Sequence, residues 1–302
     1  MSILSGIRGR VALLVAMLIV APGKPAVADV GVDREAAGSG TTSAASSTTA
    51  VFLVSAFFGL DNKLPFRANL LCLGASGKDG MPVVLSHTID PDTLDVADFQ
   101  VVTGAGVKRV PDCVTLRPAQ DPGELRTVLL IGEFGDAPND PPASVRVVGD
   151  LLSDGSASNA VQMNYRGLEI DVIPLAAGPS LVLAETVPLR ALTEETRGTR
   201  CPADVQQVVR VTWAGGVRLP NRDELGDKER KMYRVKVQRP DGAMDEVVPA
   251  ALADLADGDN NHLLCLDTTD QVVAVSFPAG QLIDPNRDLN PATQVAVNPG
   301  VQ

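Results

Sequence analysis

From residue 51 onward the apolar residues fall into short runs, dominated by valine and separated by breaks rich in glycine, proline and aspartate. Valine is β-branched and suits a pleated surface better than a helix. These runs predict strands at Val51–Phe58, Pro82–Ser86, Phe99–Thr103, Val114–Leu116, Arg126–Ile131 and Ser144–Val148. They continue at Leu168–Ile173, Leu181–Ala184, Val208–Trp213, Met232–Val237, Leu263–Leu266, Val272–Phe277 and Gln294–Val297. GKDG at 77–80, GAG at 104–106, DAPNDPP at 136–142, SDGS at 153–156 and PDG at 240–242 supply the turns. In Tyr233-Arg234-Val235-Lys236-Val237 the alternation puts Val235 and Val237 on one face. No long stretch keeps a 3.6-residue period, and short helical turns are expected only near Leu189–Glu195 and Pro249–Leu255. Short strands with a turn signal about every eight to twelve residues predict an all-β chain built of sandwiches.

Ahead of residue 51 the pattern is different. Arg8 and Arg10 precede the apolar run Val11–Ala21, and Ala26-Val27-Ala28 ends it with small residues at alternate positions. That is the order of a secretory signal peptide over 1–28, with cleavage after Ala28. The run of 11 residues is far below the ~20 needed to cross a bilayer, so no membrane span is expected after cleavage. Residues 29–50 form a linker, since 36–50 reads AAGSGTTSAASSTTA and has almost nothing to bury. The 252 residues left, 51–302, suit two domains, assigned to 51–176 and 177–302.

A degenerate repeat agrees with that division. Leu71-Cys72-Leu73, Val83-Val84-Leu85-Ser86 and Ile89-Asp90-Pro91 recur as Leu264-Cys265-Leu266, Val273-Ala274-Val275-Ser276 and Ile283-Asp284-Pro285. A duplicated β unit is the simplest account.

The segment IDPDTLDVADFQVV, Ile89–Val102, resembles the opening of bacterial immunoglobulin-like modules of surface and cell-wall proteins. The matching residues are Asp90, Pro91, Thr93, Leu94, Asp98, Phe99 and Val101, within a stretch of roughly 83–155. IDPNRDLNPATQVAV in the second half departs from the pattern, lacking the phenylalanine and adding Pro291. The resemblance implies two immunoglobulin-like β-sandwich domains in tandem, with a binding or structural role.

Charge narrows the partners. With 26 basic and 37 acidic side chains the chain carries −11; without 1–28 it keeps 23 basic against 37 acidic, or −14 over 274 residues. Such a balance argues against nucleic acid as partner. Aromatic residues make up only 3%, too few for a stacking surface that would read sugars or bases. Four cysteines (Cys72, Cys113, Cys201, Cys265) in an exported chain predict two disulfides. Two on each side of the boundary near Ala176–Gly178 predict the pairs Cys72–Cys113 and Cys201–Cys265. Zinc is disfavoured, because no Cys-x-x-Cys spacing occurs.

The chain carries no hydrolase elbow, zincin motif, phosphate loop or dinucleotide fingerprint. His87 and His262 are the only imidazoles and read as structural residues. Asp284, Asn286, Asp288 and Asn290 place oxygen ligands at every second position, a spacing open to calcium. Leu289 and Val295, however, stand where a calcium loop would have glycine and glutamate. A second group, Asp254, Asp257, Asp259, Asn260 and Asn261, reads as solvated turn, as does DKERK at 227–231 with Arg222 and Arg234. The leading expectation is a non-catalytic secreted or periplasmic protein that binds or spaces an extracellular or periplasmic protein or polysaccharide. Its alternatives are a secreted hydrolase with an acidic-loop site and a calcium-stabilised carbohydrate-binding module.

Overall fold

A computed structural model describes residues 50–155, 161–189 and 198–298. The signal peptide and nearly all of the linker expected above lie outside these residues, as does most of the helical turn expected near Leu189–Glu195. Among the described residues no helix is long and apolar enough to cross a membrane.

The first half holds β1 (Leu53–Phe57), β2 (Asp79–Leu85), β3 (Phe99–Thr103), β4 (Lys108–Arg109), β5 (Cys113–Thr115), β6 (Thr127–Gly132), β7 (Pro142–Val147) and β8 (Glu169–Ile173). The second holds β9 (Leu181–Val187), β10 (Gln207–Trp213), β11 (Arg234–Gln238), β12 (Met244–Val247), β13 (Ala251–Ala253), β14 (Asn261–Leu266), β15 (Gln271–Phe277) and β16 (Thr293–Asn298). The fold is therefore all-β, as the valine-rich runs predict.

Each half is one curled sheet. The first has the order β4-β3-β7-β8-β1-β2-β6-β5 and the second β12-β11-β15-β16-β9-β10-β14-β13. Adding eight to each strand number converts the first order into the second. In both, the only parallel pairing among the described residues is the central one, β1 with β8 and β16 with β9. Curling brings the two ends face to face. Leu53, Phe58, Met81, Val83 and Leu130 from one side meet Phe99, Val101, Val145 and Val147 from the other in a single core. In the second half Trp213, Val209, Val211 and Leu264 meet Tyr233, Val235, Val275 and Phe277.

Duplication thus holds at the level of topology, but in another register from the one the sequence suggests. Val83–Leu85 lies in β2, whereas Val273–Ser276 lies in β15, whose counterpart is β7. Valine-rich strands match one another in too many registers for a short motif to choose the correct one.

Two further expectations are corrected. Pro249–Leu255 is not a helical turn: Ala251–Ala253 forms β13, paired with β14. Its alanines and leucines favour a helix locally, but the open edge of β14 supplies backbone partners that outweigh propensity. Asp227–Arg230 is a one-turn helix rather than a loop, with Glu229 Oε2 accepting from Gly226 N at 3.0 Å.

Both disulfides join the expected partners. Cys72–Cys113 has Cα atoms 6.3 Å apart and Cys201–Cys265 5.7 Å apart. Disulfides of this kind persist in oxidising compartments outside the cytoplasm.

Candidate functional site

The two sheets meet along β1, β9, β10 and the loops before β6 and β14. Ala56 and Phe58 point into the first core, so β1 alternation sends Phe57 outward, yet Phe57 is fully buried. Gly215 of the second half covers it. A side chain at 215 would place its Cβ 2.9 Å from the Phe57 ring, so only glycine permits this approach.

Buried ion pairs cross the same junction. Arg126 of the first half reaches Glu185 on β9 at 3.0 Å. Arg210 on β10 donates to the carbonyls of Gly123 at 2.8 Å and Pro122 at 3.2 Å. It also lies 3.5 Å from Glu185 and 3.7 Å from Glu124. Asn260 adds a bond to Thr127 at 3.3 Å. Unpaired, such buried groups would cost several kcal/mol each, so the halves are held in one register by mutual satisfaction.

Beside this seam opens a cleft of about 680 Å³. Lys63 and Arg67 enter it from the β1–β2 connection, and Arg218, Arg222 and Arg287 from the second half, with Asp259 and Asp284 on its wall. Lys63 donates to Asn286 Oδ1 at 2.9 Å, and Arg218 pairs with Glu224 at 2.6 Å. In a chain of net charge −11, five cations around one cleft concentrate positive potential where both halves can reach a ligand.

Arg67 belongs to a 3-10 turn, Phe66–Leu70, that turns its apolar residues outward. Phe66 is 82% exposed, Leu70 83% and Leu73 99%. Cys72, within this ridge, is bonded to Cys113 at the start of β5, while Ala68, Cys72 and Ala75 pack on Ile131. A disulfide and a small satellite core therefore hold the apolar ridge in place beside the basic cleft. Sequence reasoning missed the ridge; its signal was Phe66, Leu70, Leu71 and Leu73 in a segment that predicts no strand.

The expected calcium residues are placed in one turn, and most of their oxygens serve that turn. Asp284 Oδ1 accepts from Asp288 N at 2.8 Å, while Asn286 Nδ2 donates to Asp288 Oδ2 at 2.7 Å. Asn290 Oδ1 accepts from Gln281 N and Leu282 N, both at 2.9 Å, and its amide donates to Pro278 O and Pro291 O. Burial pushes the Asp284 carboxyl up to about 6, against backbone bonds that lower it.

Both histidines lie away from the cleft lining. His87 Nδ1 is 2.9 Å from Ser86 Oγ, and burial, aided by Arg126, lowers its pKa. His262 is on β14, buried, with Nδ1 2.9 Å from the Tyr233 hydroxyl, and desolvation holds its pKa down at about 4. An imidazole so placed stays neutral at ordinary pH and orders the Trp213–Tyr233–Phe277 core.

The second acidic group departs most from expectation. Asp254, Asp259, Asn260 and Asn261 are buried at the junction rather than solvated in a turn. Asn260 and Asn261 are hydrogen-bonded to Trp213 O and Thr212 Oγ1. No protein-family model matches the chain, and no curated protein matches it at a significant level.

Proposed function

We propose that this is a non-catalytic binding protein of the secreted or periplasmic space, two immunoglobulin-like sandwiches that grip an acidic protein segment at their junction. The observation that carries this reading is the disulfide-stapled ridge of Phe66, Leu70 and Leu73 beside a cleft rimmed by Lys63, Arg67, Arg218, Arg222 and Arg287. Rigid exposed apolar groups provide anchoring area, and neighbouring cations select the charge of the partner.

Strand order supports the immunoglobulin-like reading. β1, β2, β6 and β5 correspond to strands A, B, E and D, and β8, β7, β3 and β4 to G, F, C and C′. The second half repeats this. The two disulfides depart from the usual bridge between strands B and F, since they involve β5 and β14. Export by cleavage after Ala28 agrees with the disulfides and predicts a mature N-terminus at Asp29, checked by sequencing the protein from culture fluid or periplasm.

Binding is tested by selecting displayed peptides on the immobilised protein. Enriched peptides should combine acidic residues with an apolar anchor. Substituting Phe66→Ser with Leu70→Ser, or Arg67→Ser with Arg287→Ser, should each weaken their binding at least ten-fold. Peptides that bind both double variants unchanged would place the ligand elsewhere.

A further inference from the structure

We propose that the carboxylates of Asp121, Asp254 and Asp257 bind one divalent cation, calcium by its ligand chemistry, joining the loop before β6 to the loop before β14. Each of the three offers an oxygen, and these atoms all lie within 4.8 Å of one another. Calcium–oxygen distances of about 2.3–2.6 Å put ligand atoms up to roughly 5 Å apart across one ion, so one ion can reach all three with at most a small shift of the side chains.

An independent observation points to the ligand. Asp254 is 2% exposed, and neither of its carboxylate oxygens has a hydrogen-bond partner. Glu124 beside it is 1% exposed with both oxygens likewise unpartnered, as are Asp257 Oδ2 and Asp259 Oδ2. The other oxygens of Asp257 and Asp259 accept backbone N–H groups, from Asp259 at 3.3 Å and Asn261 at 2.7 Å, which orients both side chains. Ordinary proteins seldom leave a buried carboxylate without a donor. Here five acids gather, and the guanidinium nearest to Glu124 is Arg210, at 3.7 Å and already bonded to Glu185, Gly123 and Pro122.

Such a cluster is balanced either by protons or by a cation. Burial and mutual repulsion raise the Glu124 and Asp259 carboxyls, and push Asp257 up to about 6. Carboxyl groups facing each other can hydrogen-bond only if one is protonated, whereas a divalent ion satisfies several at once. All-oxygen, carboxylate-rich ligation selects a hard cation, and irregular loops favour calcium over magnesium, which demands a near-octahedral shell at about 2.1 Å. Binding must expel any proton that the liganding carboxyls hold.

Asp121 lies in the first half and Asp254 and Asp257 in the second, so the ion would add a bond across the seam. This site is separate from the Asp284–Asn290 turn and independent of the acidic partner proposed above.

The test is calorimetric titration of calcium chloride into the chelator-stripped full-length mature protein. One calcium per chain is expected, with proton release and a rise in melting temperature. Asp254→Asn with Asp257→Asn, and separately Asp121→Asn, should lower affinity at least ten-fold. Asp284→Asn should leave it unchanged. Melting in chelator verifies that each variant folds; the Asp254 carboxylate is buried without a donor, so its removal should not lower stability there. No uptake at millimolar calcium overturns the proposal, as does uptake that survives the substitutions at 121, 254 and 257. Tighter binding of magnesium than of calcium overturns the choice of ion.

Discussion

Two acidic loops of the second half, 254–259 and 284–290, border the same cleft, yet they resolve their charge in different ways. The 284–290 loop spends its oxygens on itself: Asn290 alone bonds to four backbone groups, and only Asp284 Oδ2 remains buried without a partner. Its cationic neighbour, Lys63, is exposed. The 254–259 loop instead turns its carboxylates toward Glu124 and Asp121 of the other half, beneath a buried arginine. Spacing of oxygens along the chain therefore says little about cation binding. What counts is whether two distant segments bring buried carboxylates without donors, here Glu124 and Asp254, to the same place.

Arg210→Met should have the largest effect. It strands Glu124 and the carbonyls of Pro122 and Gly123 at the seam, and leaves Glu185 with Arg126 alone. Breaking a buried pair by removing one partner costs roughly 3–5 kcal/mol. Chemical denaturation should show that loss, and calcium should restore part of it through the facing carboxylates. A loss below about 1 kcal/mol would mean that the seam is solvated and the comparison misplaced.

Next in size is Asn290→Leu, expected to cost about 3 kcal/mol because two N–H groups and two carbonyls lose their partner together. The loss should be equal in calcium and in chelator. Dependence on calcium would show that the 284–290 turn is a cation site after all.

How much of this could be read from the sequence varies with distance along the chain. Strands such as β10 and β15 are plain in their valine pattern, because two faces of a sheet impose it locally. β4, β12 and β13 are short edge strands with mixed or helix-favouring residues, and only their neighbours make them strands. The cysteine pairing was legible because each pair lies within one half. Asp254, Asp257 and Asp259 were visible as a group, but nothing local reveals that Asp121 and Glu124 come to face them or that Phe57 needs Gly215.

Acid–base behaviour sharpens the contrast. Asp259 is raised to about 7 by burial first and by Asp257 second. A carboxyl whose folded pKa exceeds its unfolded value of about 4 binds more protons when folded, so its stabilising share is complete below pH 4 and lost as pH climbs to 7. His262 acts in the opposite sense: held at about 4, it loses stability as pH falls from about 6.5 toward 4. In chelator at pH 8, Asp259→Asn should raise stability by roughly 2 kcal/mol and flatten the decline between pH 4 and 7. An unchanged slope would assign that decline to other groups.

The smallest effect belongs to Lys63→Ala. Lys63 Nζ donates to Asn286 Oδ1 at 2.9 Å, but the bond is exposed, so water replaces it when the side chain is removed. A long flexible side chain also regains rotamer freedom on release, which offsets what the bond contributes. Stability should change by no more than about 0.5 kcal/mol, or one to two degrees in melting temperature for a folded region of this size. The 284–290 turn keeps its internal bonds, and calcium uptake by the other loop should be untouched. A destabilisation above about 1.5 kcal/mol would show that the turn leans on the first half as the 254–259 loop does, and the distinction between the two loops would then fall.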